Sequence, residues 1–167
     1  TKERRVSIAS QTHLQNRVSM VACGIAYSLF LNEANEVFSC GANSLGQLGL
    51  GHRLSEALPQ KQNFGFPNKN SKIIKIAACH HSGLLTEQGE VYLWGTGVFG
   101  QFLMPTYIDS LKNIVDIRIG ECFGSARDFE GFIYTWGNNT KGQLGVGDTE
   151  TRRGFSPVFA LQNFREE

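Results

Sequence analysis

The sequence has almost no excess charge, no long apolar run and no stretch of helical periodicity, and each absence narrows what the chain is expected to do. Its 167 residues carry 16 basic and 15 acidic side chains. So balanced a chain lacks the electrostatic footprint of a binder of nucleic acid or of an anionic membrane surface. No apolar run approaches the ~18 residues of a membrane-spanning helix, and no leader with a basic start and an apolar centre is visible. Membrane insertion is therefore not expected. Apolar residues fail to recur at the i, i+3, i+4, i+7 spacing of an amphipathic helix over any useful length. Cysteine is sparse as well, with four in all. Cys23, Cys79 and Cys122 lie in or beside short apolar runs, and Cys40 stands where two related segments place Trp. They read as small buried apolar groups rather than a disulfide framework. That usage points to a reducing intracellular compartment, cytoplasm or nucleus.

Chemistry is missing too. Cys79-His80-His81 offers metal-binding residue types, but neighbours on a strand point to opposite faces and no second ligand pair stands at metal-finger spacing. His81-Ser82 fails as a nucleophile pair for the same reason, with no acid placed to orient the imidazole. The glycine-rich stretches are not followed by Lys-Ser/Thr or by a helix start, as a phosphate cradle requires. Lys2, Arg4 and Arg5 are a solvated chain end rather than a localisation signal. No catalytic residue, metal or cofactor is expected.

What the chain does have is glycine, 19 residues of it, alongside 12 phenylalanines and only 19% charged residues, a composition suited to a turn-rich all-β protein. One stretch occurs three times: VFSCGANSLGQLGLG, VYLWGTGVFGQFL and IYTWGNNTKGQLGVG. Its anchor glycines are Gly41, Gly95 and Gly137, at intervals of 54 and 42 residues. Intervals of that size indicate stacked repeats. Each anchor follows a β-rich run ending in Cys40, Trp94 or Trp136. Five residues past each anchor stand Gly46, Gly100 and Gly142, each followed by Gln. Seventeen residues before the anchors come Gly24, Ala78 and Gly120, and six before them Asn35, Gly89 and Gly131. Asn and Gly tolerate positive φ, so the latter place is a hairpin turn. The connection after Gly51 is twelve residues longer than the next. Extra length in a repeat protein falls in loops, which often bind, and Phe64 and Phe66 within it are candidate partner contacts.

The pattern G-x-x-[H/Y]-S…[N/G]-x-V-[Y/F]-x-W-G-x-N-x-x-G-Q-L-G-x-G resembles the regulator of chromosome condensation repeat family, over roughly residues 18–157. The match is best at Asn43 to Gly51 and at Asn139 to Gly147. The second repeat departs: Gly97 replaces the Asn, Phe102 the Leu, and Leu103 and Pro105 the last two glycines. The resemblance implies an all-β fold of four-stranded antiparallel propeller blades, about three of the family's usual seven. Repeats are expected at 18–51, 73–105 and 114–147, with 1–17 and 148–167 supplying strands shared with neighbouring blades. Three blades make an arc, so further blades, from this polypeptide or another chain, are expected to complete it. The chain begins with Thr rather than Met, which fits a segment of something longer. The resemblance further implies a non-enzymatic protein-interaction or scaffold module, in the cytoplasm or in a cytoskeletal or ciliary assembly. The alternative it offers is nucleotide exchange on a Ran-like small GTPase. Exchange factors of the family use the His position of the G-x-x-H-S element, which here holds Tyr27, His81 and Phe123.

Overall fold

A computed structural model describes residues 16–66 and 71–161. They form three four-stranded antiparallel sheets, each a simple meander. Blade 1 comprises β1 (Val18–Gly24), β2 (Tyr27–Asn32), β3 (Val37–Gly41) and β4 (Glu56–Lys61). Blade 2 comprises β5 (Ile73–Ala78), β6 (Ser82–Thr86), β7 (Val91–Gly97) and β8 (Gly100–Tyr107). Blade 3 comprises β9 (Ile114–Ile119), β10 (Phe123–Asp128), β11 (Ile133–Gly137) and β12 (Arg152–Pro157), followed by one 3₁₀ turn, Phe159–Leu161. All four strands of each blade thus lie within the described residues, so 152–157 closes blade 3 itself and is not lent to a neighbour. The expected shared strand at 1–17 falls almost wholly outside the described residues.

Alternation along the strands gives each blade two faces. In blade 1 the pairings Ala22↔Leu29↔Ser39 and Met20↔Leu31↔Val37 define one, and Val21↔Phe30↔Phe38 with Cys23↔Ser28↔Cys40 the other. The first packs against the second-type face of blade 2, where Ile76, Leu84, Tyr92 and Trp94 lie. Blade 2 repeats the arrangement, laying Leu85, Val91 and Leu93 against Ile117, Ala126 and Trp136 of blade 3. The core therefore consists of two apolar seams between blades. At 1.5–3 kcal/mol for each fully buried large side chain, those seams are the main source of stability.

Proline placement follows the same logic. Pro59, Pro105 and Pro157 each sit in the outermost strand of a blade. An edge strand has one side without ladder partners, so a missing N–H is tolerated there. Pro59, within the long connection after Gly51, thus belongs to β4.

The hairpin turns behave as the sequence implies. Asn35, Gly89 and Gly131 have φ of 64°, 79° and 93°. Asn35 also joins the blades: its amide donates to Ser71 O at 2.8 Å and its Oδ1 accepts from Ile73 N at 2.7 Å. Gly89 approaches the blade 2–3 connection so closely that a Cβ would lie 2.8 Å from Ile114 N.

Two sequence alignments need correction. Ala78 is not the counterpart of Gly24. It pairs with Ser82 as Cys23 pairs with Ser28, so Cys79 takes the glycine's place and the β5–β6 turn is one residue shorter. The longer first interval is also not one inserted loop. Gly41 pairs with Glu56 and Gly137 with Arg152, fifteen residues on, whereas Gly95 pairs with Phe102, only seven on. Much of the difference is a contraction in blade 2.

Gly89→Val places a β-branched side chain at positive φ against backbone, and Asn35→Ala removes both of its side-chain hydrogen bonds. Each is expected to destabilise the protein by about 2–3 kcal/mol. Urea unfolding measures this, and an unchanged midpoint for either variant refutes the turn assignment.

Candidate functional site

Two of the three glycine-rich loops are each built by one buried asparagine. In blade 1, Asn43 is fully buried; its amide donates to His52 O and Leu54 O, and its Oδ1 accepts from Leu48 N at 3.0 Å. Asn139 repeats the scheme with Asp148 O and Leu144 N. Gln47 and Gln143 each accept the N–H two residues upstream at 2.9 Å. Leu48 and Leu144 are thereby held inside, their carbonyls accepting from Ser39 Oγ and Thr135 Oγ1. Blade 2 has Gly97 at the asparagine's place. Without that amide there is nothing to organise the loop, and the chain instead turns back at once, with Gly97 paired to Gly100. The three loops are therefore not equivalent: two are alike and the second is a tight hairpin.

The blade 1 loop also fastens the blade that follows. Gln47 O accepts from Trp94 Nε1 at 2.9 Å and from Ser82 Oγ at 2.7 Å. Tyr27 OH completes the lock, lying 2.8 Å from His81 O and 2.7 Å from Ser82 Oγ. Thr96 Oγ1 donates to Leu45 O, and Gly51 N to Leu103 O. Gly49 makes the contact possible, since a Cβ there would stand 2.8 Å from the Trp94 Nε1.

At the blade 2–3 seam only the tryptophan of that lock is kept. Tyr27 becomes His81, Ser82 becomes Gly124, and the loop carbonyl disappears with the loop. Trp136 occupies the register position of Trp94, fully buried, yet its Nε1 has no partner among the described residues. His81 is 2% exposed, with its ring 4.7 Å from that of Phe99 and its Nε2 likewise unpartnered. Burial, with a smaller contribution from neighbouring His80, lowers its pKa to about 4.

The residues singled out from the sequence fall into separate places. Tyr27, His81 and Phe123 are equivalent, each beside an anchor glycine (Gly41, Gly95, Gly137) whose φ is near 100°. Tyr27 and His81 are buried, and Phe123 half-buried over Gly120. Phe64 and Phe66 are half-buried, packed edge-on to each other at 5.1 Å and against Tyr92 at 6.4 and 5.4 Å. Trp94 and Trp136 are fully buried, but Cys40, expected to match them, is only half-buried, because no blade covers the second-type face of blade 1 among the described residues. Gly46 and Gly142 sit in the two complete loops at φ of 75° and 76°, and Gly100 ends the blade 2 hairpin. Sequence reasoning missed Gln47 and Ser82 as a lock. The Ser28, Ser82, Gly124 series, visible in the repeats, was the available signal.

The loops and the inner turns share one end of the arc, where Ile25 and Leu54 are 52% and 72% exposed and Arg53 bridges Ser44 O and Gln101 Oε1. At the opposite end a cavity of about 640 Å³ opens between Met20, Leu31 and Ile73, with Glu33 and Lys72 on its rim. Nothing in these surfaces assembles a nucleophile with a base.

A family model for the regulator of chromosome condensation (RCC1) repeat matches residues 35–85 and 130–165. The chain belongs to this repeat family. The unmatched stretch contains the contracted loop of blade 2. Among RCC1-repeat relatives, the chain is 36% identical over 159 residues to a probable E3 ubiquitin-protein ligase HERC4 of Homo sapiens, covering 87% of this chain and 15% of that protein. It is 32% identical over 146 residues to a secretion-regulating guanine nucleotide exchange factor of Bos taurus, covering 76% and 31%. Its fold matches the Prp20p structure from Saccharomyces cerevisiae with a TM-score of 0.76 at 21% identity, over 84% of this chain and 38% of that one. The chain thus spans less than a third of the curated relatives it matches. What it contributes is a set of RCC1 propeller blades, a protein-interaction module.

Two tests follow from the unequal seams. Trp94→Phe loses the bond to Gln47 O and is expected to cost about 1 kcal/mol more than Trp136→Phe, whose indole N–H bonds nothing; equal costs refute the asymmetry. For His81, the folded pKa lies below the unfolded value of about 6.5. Its contribution is fully present above about pH 6.5 and is lost as pH falls toward about 4, by roughly 3 kcal/mol. Urea midpoints at about pH 7 and about pH 4.5 should therefore diverge more for the wild type than for His81→Phe.

Proposed function

We propose that this chain is the partner-binding portion of a larger RCC1 propeller, and that it engages protein through its loop end rather than by catalysis. The observation that carries this reading is the interlocked loop of blade 1. Asn43, Gln47 and Gly49 fix it to blade 2, so the exposed Ile25 and Leu54 stand on a rigid platform. Rigid support for variable loops is what recognition needs, and no special side chain is required.

Exchange on a small GTPase is the second reading, favoured by the likeness to the secretion-regulating guanine nucleotide exchange factor of Bos taurus. Against it, Tyr27 and His81 are 4% and 2% exposed, and Tyr27 is committed to Ser82. Neither side chain is offered to a GTPase.

Release of a labelled nucleotide from a panel of small GTPases separates the readings. No acceleration over the intrinsic rate is expected, and acceleration would establish exchange. For the loop end, Ile25→Asp/Leu54→Asp should lose protein partners that the wild type captures, at an unchanged melting temperature. Retention of every partner would place the contact elsewhere.

A further inference from the structure

The end of the arc opposite the loops holds a feature that the loop-end reading does not use. There the cavity of about 640 Å³ lies between blades 1 and 2, with Met20, Leu31 and Ile73 as its floor. Both blades that wall it are complete among the described residues. A blade added before blade 1 or after blade 3 would dock on other faces, so the opening does not depend on where the arc ends.

One side chain accounts for the gap. At the blade 2–3 seam the hairpin backbone meets the next blade directly, with Gly89 O accepting from Ile114 N at 3.2 Å. At the blade 1–2 seam the corresponding N–H, that of Ile73, goes instead to Asn35 Oδ1 at 2.7 Å, while the Asn35 amide donates to Ser71 O at 2.8 Å. The first hairpin therefore stands off from the next blade by an interposed asparagine side chain, where the second closes backbone to backbone.

Most polar groups of the lining are spent locally. Ser19 Oγ donates to Leu31 O, Asn32 Nδ2 to Glu36, and Ser71 Oγ to Glu90. Glu33 and Lys72 are different. Each is exposed on the rim, one on either blade, and neither side chain makes a hydrogen bond or ion pair among the described residues. Backbone bonding shows that this pairing of charges belongs to the first seam alone of the two. Glu33 N donates to Arg17 O, Glu87 N to Lys72 O and Phe129 N to Asn113 O. The place that Lys72 takes across from Glu33 is thus taken at the second seam by neutral Asn113, across from Glu87. An apolar floor between one free anion and one free cation selects an occupant with an apolar centre and charges of both signs, its basic end toward Glu33 and its acidic end toward Lys72. The volume falls in the range of about 300–1,000 Å³ usual for ligand pockets, and it exceeds what a single amino acid fills.

We propose that this cavity is an anchor site for a short segment of a partner protein in which apolar residues stand between a basic and an acidic one. The proposal rests on the reading of the chain as an interaction module but uses the end of the arc remote from Ile25 and Leu54. Failure here leaves the loop-end test standing, and the converse holds.

The test is fluorescence anisotropy of a labelled, end-capped Lys-Leu-Leu-Glu peptide. Gln-Leu-Leu-Gln removes its charges and Lys-Ser-Ser-Glu its apolar centre. The wild type should bind the first saturably and each of the others at least about fivefold more weakly. Glu33→Lys should weaken binding of Lys-Leu-Leu-Glu by about fivefold and strengthen that of Glu-Leu-Leu-Glu, and Lys72→Glu should shift preference toward Lys-Leu-Leu-Lys. A gain for the matched peptide cannot come from misfolding. Arg17→Gln/Glu87→Gln removes one charge of each sign at the same end but off the lining, and should leave binding unchanged. Failure of the wild type to bind, no change of preference in either charge variant, or equal weakening by the Arg17→Gln/Glu87→Gln control would overturn the proposal. So would free leucine competing as well as the unlabelled peptide, because the occupant would then be a small zwitterion.

Discussion

A four-stranded antiparallel sheet is one layer thick and cannot enclose a core of its own, so each blade must have both faces covered from outside. Everything else in this structure answers that constraint. The apolar side chains alternate between the faces, and the two core clusters are seams shared by adjacent blades rather than interiors of blades. Stability is then a matter of nearest-neighbour contacts, as in other repeat proteins. The glycine-rich loop earns its recurrence in that light. It lies at the outer end of the seam, where Gln47 O accepts from both Ser82 and Trp94 of the next blade.

The second seam shows what happens when that lock is lost. Gly97 removes the organising amide, the loop contracts, and the carbonyl that would meet Trp136 goes with it. The compensation is apolar. Phe99 at the tip of the shortened hairpin lies at a tilt against His81 and packs against the Leu93 and Trp136 cluster. Phe155 adds an edge-on contact to Trp136 at 5.0 Å. Ring contacts are less directional than hydrogen bonds, and they leave Trp136 Nε1 and His81 Nε2 buried without partners. A buried unpaired polar group costs about 1–3 kcal/mol, so this seam is the weaker of the two and carries the acid sensitivity.

Most of the fold was legible because it rests on periodic features. Glycine positions in register, a Trp or Cys before each anchor, and Asn or Gly at each hairpin are local requirements of backbone geometry, and they survive translation into structure nearly unchanged. What was less legible depended on neighbours. The identity of Gly24's counterpart turned on a one-residue shortening that spacing alone assigned to Ala78. The half-exposure of Cys40 depends on what lies against blade 1, which residue type cannot report. Tyr27 and His81 stand at a position that reads as a surface motif, yet both are buried: Tyr27 reaches along the seam to Ser82 of the next blade, and His81 is covered by Phe99 of its own. Phe64 and Phe66 read as loop residues, and their contact with Tyr92 of blade 2 could not be read from the loop alone. In each case the missing information was a contact made in space by residues far apart in the sequence.

The same constraint governs how the arc can be extended. Its two outward faces are not complements of each other. The face of blade 1 carries Val21 at 66% exposure together with half-buried Phe30 and Cys40, and so calls for apolar cover. The face of blade 3 carries Arg118 and Arg127. A head-to-tail contact between two copies would press one on the other, desolvating the Arg118–Asp116 pair and the Arg127 guanidinium. Heterologous contacts propagate only where the two surfaces match, and these two described faces do not repeat the apolar pairing by which blades 1, 2 and 3 join.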